Sequence, residues 1–354
     1  MLSRLPGVAE KRLEQLSAAL SGGRSLLILT HDNPDPDSIA SGWGLMRVAR
    51  RIRRMQVDLA YGGMIGRSEN RTLREVLRVP LRPLESLDLT RYQAVALVDC
   101  QPGTGNTSLP DDFRPQVVID HHPLRRQTRE VPFYDVREEY GATATIVSEY
   151  LLASEVRLER KLATALFYAI KAETQNLGRE ASRADVRAFL HFFPLVDNTA
   201  LSRIEHPPVT RDYFAAIDQA LYGTTLYGPL AITLLGRVEN PDTVAEFADL
   251  MVRLEGVRWA LALGHFGQDV VVSIRTNQHR GNAGRMIHRI CGREGKAGGH
   301  ETMAGGKIAG GARTPEAARD WERLLTARAL QVLKADPEGV TLVRRPAAET
   351  SSSA

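Results

Sequence analysis

Two cysteines, Cys100 and Cys291, are all that the 354 residues contain. That is too few for a disulfide framework or a thiolate zinc site, and it suits a reducing cytosol. Long apolar runs are missing as well. The opening MLSRLPGVAEKRLEQL has no apolar signal core, and no stretch of about 18 apolar residues occurs anywhere, so the protein is expected to be soluble, cytoplasmic and free of membranes. Lysine is scarce, at six against forty arginines, a bias read as genomic composition rather than as a chain-wide phosphate grip. The net charge is only +4, which fits an anionic partner without demanding one. There is no internal repeat.

What is present is ordinary globular composition, 43% apolar and 25% charged, which excludes wholesale disorder. The length predicts two domains. Helical spacing at 8–20 leads through Ser21-Gly22-Gly23 into the apolar run Ser25–Thr30, then a Pro- and Asp-rich loop to Ser38 and a helix over 39–52. The alternation continues with strands at 56–61, 94–98 and 117–119 and helices at 69–77, 142–153, 159–172 and 184–193. This pattern predicts a doubly wound parallel sheet. A connector with Pro207-Pro208 and a helix at 210–221 precedes a smaller α/β unit. That unit has strands at 230–236, 258–265 and 269–275, helices at 242–253 and 281–291, a glycine-rich turn over 292–306 and a final helix at 314–333. The expected boundaries are a first domain over 1–205, a helical connector over 206–228, a second domain over 229–335 and a tail over 336–354 with a disordered end.

Three apolar strands end in polar clusters. Thr30 runs into His31-Asp32-Asn33-Pro34-Asp35-Pro36-Asp37, Val98 into Asp99, and Ile119 into Asp120-His121-His122. The carboxyl ends of parallel strands line the ligand crevice, so these distant clusters are expected to converge. Several carboxylates and imidazoles brought together would repel one another and lose solvation unless a divalent cation, or two, joined them. Asp and His donors without thiolate suit manganese first, with iron, cobalt or magnesium as lesser candidates. Two such ions most commonly serve phosphate-ester hydrolysis.

The segments His31–Ser38, Leu97-Val-Asp99 and Val118-Ile-Asp-His-His122 resemble the first three motifs of the DHH phosphoesterases. Gly298-Gly-His-Glu-Thr-Met-Ala-Gly305 is similar to the glycine-glycine-histidine motif of the DHHA1 domain that follows in one branch. The resemblance implies a DHH catalytic domain and a DHHA1 substrate domain. It implies that His31 and Asp35 bind one metal, that Asp37 and His121 bind the other, and that Asp99 bridges them. Asp120 would orient its neighbouring imidazole and His122 would face the substrate phosphate, both as catalytic groups. Asn33 and Ser41 match as polar supports, Asn33 toward substrate. Glu173 stands at a metal position where the family usually has Asp.

In the second domain, Ser273 and Arg275 resemble the phosphate-binding serine and arginine of DHHA1. Arg280, Asn282 and Arg285 crowd a helix start that favours an anion, and Gly298, Gly299 and His300 lie in a loop that lets backbone approach a nucleotide. Met303, where the family usually has alanine, either reshapes the base pocket or fills a gap. The implied protein is a metal-dependent phosphodiesterase, with two divalent ions (Mn2+, or Mg2+ or Co2+), that cleaves short oligonucleotides or linear dinucleotides to nucleoside 5′-monophosphates. The first domain would hold the reactive phosphate and the second the far phosphate and base. The neighbouring readings are a 3′-phosphoadenosine 5′-phosphate phosphatase and a cyclic-dinucleotide phosphodiesterase. A nucleotide-binding regulator with an impaired metal site is the reading from another class. A homodimer is plausible from the family.

Overall fold

The computed structural model describes residues 8–278, 280–299 and 301–344; His300 and the tail from 345 onward lie outside the described residues. The chain divides into two compact units between Pro208 and Val209. Most of the 206–228 segment belongs to the second unit, to which it contributes a helix and a strand.

In the first unit, α1 (Val8–Ala19) precedes β1 (Ser25–Leu29), α2 (Pro36–Arg53), β2 (Gln56–Tyr61), α3 (Ser68–Leu77) and β3 (Leu81–Pro83). β4 (Ala94–Val98), β5 (Val117–Asp120) and β6 (Phe133–Val136) follow, and then α4 (Thr143–Ala153), α5 (Arg160–Glu173), α6 (Arg183–Phe192) and α7 (Asn198–Glu205). The six strands form one parallel sheet in the order β3-β2-β1-β4-β5-β6. Residues alternate between its faces as the strand period requires. Leu26, Ile28, Ala96, Val98, Val117 and Ile119 enter a core closed by α2, α4 and α5. Leu27, Leu29, Val95, Leu97 and Val118 enter a second core with Leu84 and Val131. That second face is covered by loops and by 3-10 turns at Leu84–Ser86 and Gln127–Glu130. The chain between Val98 and Phe133 is occupied by β5, loops and one such turn, so no α-helix forms there.

The acidic loop after β1 closes earlier than expected, because α2 starts at Pro36 and not after Ser38. Asp35 is its N-cap, accepting from the Ser38 amide at 2.9 Å, while the Ser38 hydroxyl accepts the Asp35 amide at 3.1 Å. This reciprocal cap, with Pro36 at the first helical position, makes the start unambiguous. On the core side of α2, a Cβ added at Gly44 would lie 2.6 Å from Val147 Cγ1 in α4. Gly44→Ala is therefore expected to lose about 1–3 kcal/mol by overpacking. That loss exceeds most of the roughly 1 kcal/mol that Ala otherwise gains over Gly inside a helix. A lowered midpoint in thermal denaturation is the result to look for; a raised one would show that α2 and α4 can separate freely.

The second unit contains α8 (Arg211–Tyr222), β7 (Thr224–Tyr227), β8 (Leu230–Arg237), α9 (Asp242–Met251), β9 (Trp259–Phe266) and β10 (Asp269–Thr276). α10 (Ala283–Cys291), β11 (Lys296–Gly299), β12 (Met303–Ile308), α11 (Pro315–Leu333) and β13 (Val340–Thr341) complete it. Its seven-stranded mixed sheet runs β11-β12-β10-β9-β8-β7-β13, with β8 and β9 parallel and the other pairs antiparallel. The 292–306 segment, expected as a glycine-rich turn, instead carries the paired strands β11 and β12, with Gly298 opposite Gly305 and Gly299 opposite Ala304. Close packing accounts for two of these glycines, since a Cβ at Gly299 would fall 2.4 Å from the Ala304 Cα and one at Gly306 2.6 Å from Cys291 Sγ. Among the described residues no helix is long and apolar enough to cross a membrane.

Candidate metal centre

From β1 the chain builds outward to β2 and β3, and from β4 it builds the other way, so the strand order reverses between β1 and β4. Ligands of open α/β sheets bind at that crevice, outside the carboxyl ends of the strands. His31 follows β1, Asp99 follows β4, and Asp120 ends β5 with His121 and His122 next in sequence. These three strands are neighbours, and the expected convergence is present.

Asp99 is the shared element. Its Oδ2 lies 3.6 Å from His31 Nε2, which is also 3.5 Å from Asp35 Oδ1. Its Oδ1 lies 3.7 Å from His121 Nε2, and that nitrogen is 3.9 Å from Asp37 Oδ2. Two N or O ligands held about 2.1 Å from one ion stand about 3–3.5 Å apart, so a few tenths of an ångström of closure would seat a cation in each group. Among the described residues two three-residue groups have donor atoms close enough to hold an ion, His31–Asp35–Asp99 and Asp99–His121–His122. In the second, His122 Nδ1 is already bonded to Asp120 Oδ1 at 2.7 Å. Asp37 is thus the more suitable third ligand there. Asp99 itself sits at φ +60°, a left-handed conformation that turns the strand end sharply.

Each imidazole is oriented from behind. His31 Nδ1 faces the Asp32 carbonyl at 2.9 Å and His121 Nδ1 the Tyr140 carbonyl at 3.1 Å. Both contacts favour the tautomer that turns Nε2 toward the carboxylates as an acceptor. Asp120 accepts the amides of His121 and His122 as well as the His122 ring, and Gln101 Nε2 donates to its other oxygen at 2.7 Å. Gln101 Oε1 in turn accepts from the Arg125 amide and the Thr128 hydroxyl. Asp37 accepts the Thr143 and Ala144 amides at the start of α4, both at 2.7 Å, and Ser41 Oγ at 3.3 Å. Thr143 Oγ1 donates to Asp99 Oδ1 at 2.8 Å. Asn33, at φ +58°, bonds Gly62 O and the Met64 amide and so fastens the loop after β1 to the loop after β2. Gln101, Tyr140 and Thr143 carry no motif in the sequence. Their roles arise from packing alone.

The charges are those of a site built for cations. Burial, then the nearby Asp99, Asp35 and Glu173 charges, push the Asp37 carboxyl well above the usual carboxylate range. Burial and Asp35 likewise raise Glu173. Burial works against protonation of His31, but Asp35 and Asp99 outweigh it and raise its pKa. The same contest, won by the Asp120 charge and hydrogen bond, lifts His122 to about 9. Asp120 falls to about 2, its burial being overcome by His122. Cys100 is buried beside Asp99 and its thiol is pushed well up by burial, so it offers no thiolate. Hard carboxylates with imidazoles fit manganese or magnesium better than a thiophilic ion.

Glu173 ends α5 outside both three-residue groups. Arg179 Nη2 donates to its carbonyl at 2.7 Å and to its Oε1 at 3.2 Å. The residues between are in an uncommon conformation: Gln175, Asn176 and Leu177 have φ of 48°, 60° and 66°, and Glu180, just beyond Arg179, has 50°. Left-handed backbone costs non-glycine residues about 1–2 kcal/mol each.

In the second unit, Ser273 and Arg275 lie on β10, where Ser273 is buried. Arg275 is committed to Asp249 at 2.5 Å and to the Ile274 carbonyl at 3.0 Å. Asn282 caps α10 by accepting the Arg285 amide at 3.2 Å, and Arg280 is exposed just before it. Gly298 and Gly299 belong to the β11–β12 pair.

The fold and the site together define an α/β domain of the phosphoesterase type, with its polar centre at the switch point of a parallel sheet. Residues 25–170 match the sequence model of the DHH family, N-terminal domain, and the first unit is a domain of that family. An uncharacterized protein of Methanocaldococcus jannaschii, MJ1633, is 34% identical over 285 residues, 80% of this chain and 58% of that protein. A cyclic-di-AMP phosphodiesterase, PdeA, of Listeria monocytogenes is 24% identical over 295 residues, 78% of this chain and 43% of the relative. A probable manganese-dependent inorganic pyrophosphatase of Bacillus licheniformis is 26% identical over 149 residues, 42% of this chain and 48% of the relative. This chain spans about half the length of these curated relatives. A crystal structure of an exopolyphosphatase-related protein from Bacteroides fragilis shares the fold, with a TM-score of 0.70 at 14% identity over 93% of this chain and all of that one.

Proposed function

We propose that the protein is a metal-dependent phosphodiesterase that cleaves short oligonucleotides or linear dinucleotides to nucleoside 5′-monophosphates. The observation that carries this reading is Asp99, whose two oxygens face two separate sets of Asp and His donors. His31, Asp35 and Asp99 would hold one divalent ion, and Asp37, His121 and Asp99 the other, with manganese favoured by the donor set and by the manganese-dependent relative. When bound, such ions supply Lewis acidity and neutralise phosphoryl charge. The chain's own residues do the remainder. Asp120 fixes the His122 ring through Nδ1, presenting the opposite edge of the imidazole to a substrate oxygen, and Gln101 holds Asp120 in that pose. The Asp32 and Tyr140 carbonyls keep His31 and His121 in register with the carboxylates.

A cyclic dinucleotide is the second substrate reading, favoured by one comparison. The PdeA match covers more of this chain than the first unit contains, while the pyrophosphatase match covers less than half of it. Ser273, Arg280 and the β11–β12 glycines would then be the nucleotide-binding residues of the second unit. Arg275 would have to exchange Asp249 for a phosphate.

The deciding experiment is product analysis with manganese on RNA and DNA from dimers to 20-mers, a cyclic dinucleotide, 3′-phosphoadenosine 5′-phosphate and pyrophosphate. Nucleoside 5′-monophosphates from the dimers are expected. Inertness toward all of them would overturn the reading and leave a nucleotide-binding regulator. Chelation is expected to abolish turnover, and manganese at about 100 times its dissociation constant to restore it and to stabilise the fold by about 2.7 kcal/mol per site, read as a rise in the thermal midpoint.

A further inference from the structure

We propose that Arg179 is a substrate-binding residue of the first unit, gripping a phosphate oxygen at the rim of the metal centre; this rests on the phosphodiesterase reading above. The chain leaves α5 at Glu173 and turns back through Gln175, Asn176 and Leu177, all left-handed although none is glycine. Gly178, the one glycine in the segment, is not left-handed, and while Asn176 tolerates that conformation, Gln175 and Leu177 carry the strain. The turn is pinned by Asn176 N to Lys171 O, Arg179 N to Thr174 O and Leu177 N to Thr174 Oγ1, at 2.8, 2.9 and 3.0 Å. Strain maintained in this way is characteristic of ligand clamps.

The turn delivers a guanidinium to Glu173. Both of its contacts there use one nitrogen, Nη2, while Nε and Nη1 have no hydrogen-bond partner among the described residues. The side chain is nonetheless only 13% exposed. A planar fork with unspent donors suits a phosphate better than water alone. Its position suits one too, because the Glu173 carboxylate that it touches is in the electrostatic reach of Asp35, His121 and Asp99. A phosphodiester approaching this acidic cluster meets Arg179 as a fixed positive group supplied by the chain itself.

The competing reading is that Arg179 only caps α5 and steadies Glu173. Calorimetry of inorganic phosphate and adenosine 5′-monophosphate binding to the manganese-loaded protein separates the two, alongside steady-state kinetics on a dinucleotide. Arg179→Met is expected to weaken phosphate binding and raise KM by about 10- to 100-fold, the usual cost of losing a charged hydrogen bond. It is expected to change kcat less than threefold and to leave manganese affinity equal or tighter, a positive neighbour having gone. Arg179→Lys, which keeps the charge and a donor for the Glu173 carbonyl, is expected to fall between, and it serves if the Met variant does not fold. Phosphate affinity within twofold of wild type, or a loss confined to manganese affinity and thermal midpoint, would overturn the proposal. Because phosphate binding is read without turnover, a wild-type protein that hydrolyses no dinucleotide would sink the phosphodiesterase reading while the calorimetry still decides Arg179.

Discussion

Asp99→Asn is expected to lower manganese-dependent turnover by about a thousandfold or more. Removing one preorganised electrostatic contact from an active site costs about 10²–10³, and Asp99 faces both ligand sets. Asparagine is the informative replacement. It tolerates the left-handed φ of +60°, and its carbonyl can still accept from Thr143 Oγ1, so charge is removed with little change of shape. Alanine would add about 1–2 kcal/mol of backbone strain and confuse the two effects. Initial rates, a manganese titration followed by electron paramagnetic resonance and a thermal melt should be measured together. Near-normal turnover with an unchanged melt would show that Asp99 does not bridge two ions.

The largest loss of stability is expected from Arg137→Met. Arg137 is nearly buried and grips Asp135 with two nitrogens at 2.9 and 2.8 Å, while its Nη1 reaches Glu149 at 2.6 Å and the Tyr140 hydroxyl at 3.0 Å. Tyr150 also donates to Asp135. Removing the cation leaves the Asp135 carboxylate buried without its partner, at a cost of about 3–5 kcal/mol. The pH dependence follows from the sign of the shift. Burial raises the Asp135 pKa, but the Arg137 hydrogen bond and charge outweigh it and hold it below the usual value. Its contribution is therefore complete above the unfolded carboxyl value of about 4 and is lost as pH falls through the lower folded value. In the variant burial is opposed only by the Tyr150 hydrogen bond and the Arg12 charge, so Asp135 protonates more readily, and the gap between variant and wild type should narrow from pH 7 toward pH 4. Urea denaturation at both pH values tests this, and a gap that stays constant would show that Asp135 is not the group involved.

Much of the first unit can be read from the chain because its strands are buried on both faces. Leu26–Leu29, Ala94–Val98 and Val117–Ile119 are continuous apolar runs, and their polar ends announce the crevice. The sheet edges are harder to read. β3 has three residues and β6 four, too few for a period to show. The β11–β12 pair eludes pattern reading for another reason: its glycines signal a turn, yet they lie in paired strands, where Gly299 meets Ala304 and Gly306 meets Cys291 too closely for a side chain. At the centre, the Asp and His residues stand out by type, while Gln101, Tyr140 and Thr143 do not. Tyr140 acts through its carbonyl, which every residue has, and Gln101 through a burial that depends on loops brought together only by the fold.

Asp37 has a further consequence. Its two oxygens take the first two amides of α4, the end of the helix that carries about half a positive elementary charge. A cation drawn in by His121 and Asp99 would bring a second positive pole to the same carboxylate. Asp37 then works as an insulator between two like charges, attracted to both and keeping them apart. The helix start is already anchored before any ion arrives, so this side of the centre is preassembled, and an incoming ion meets a carboxylate whose position is set by the helix.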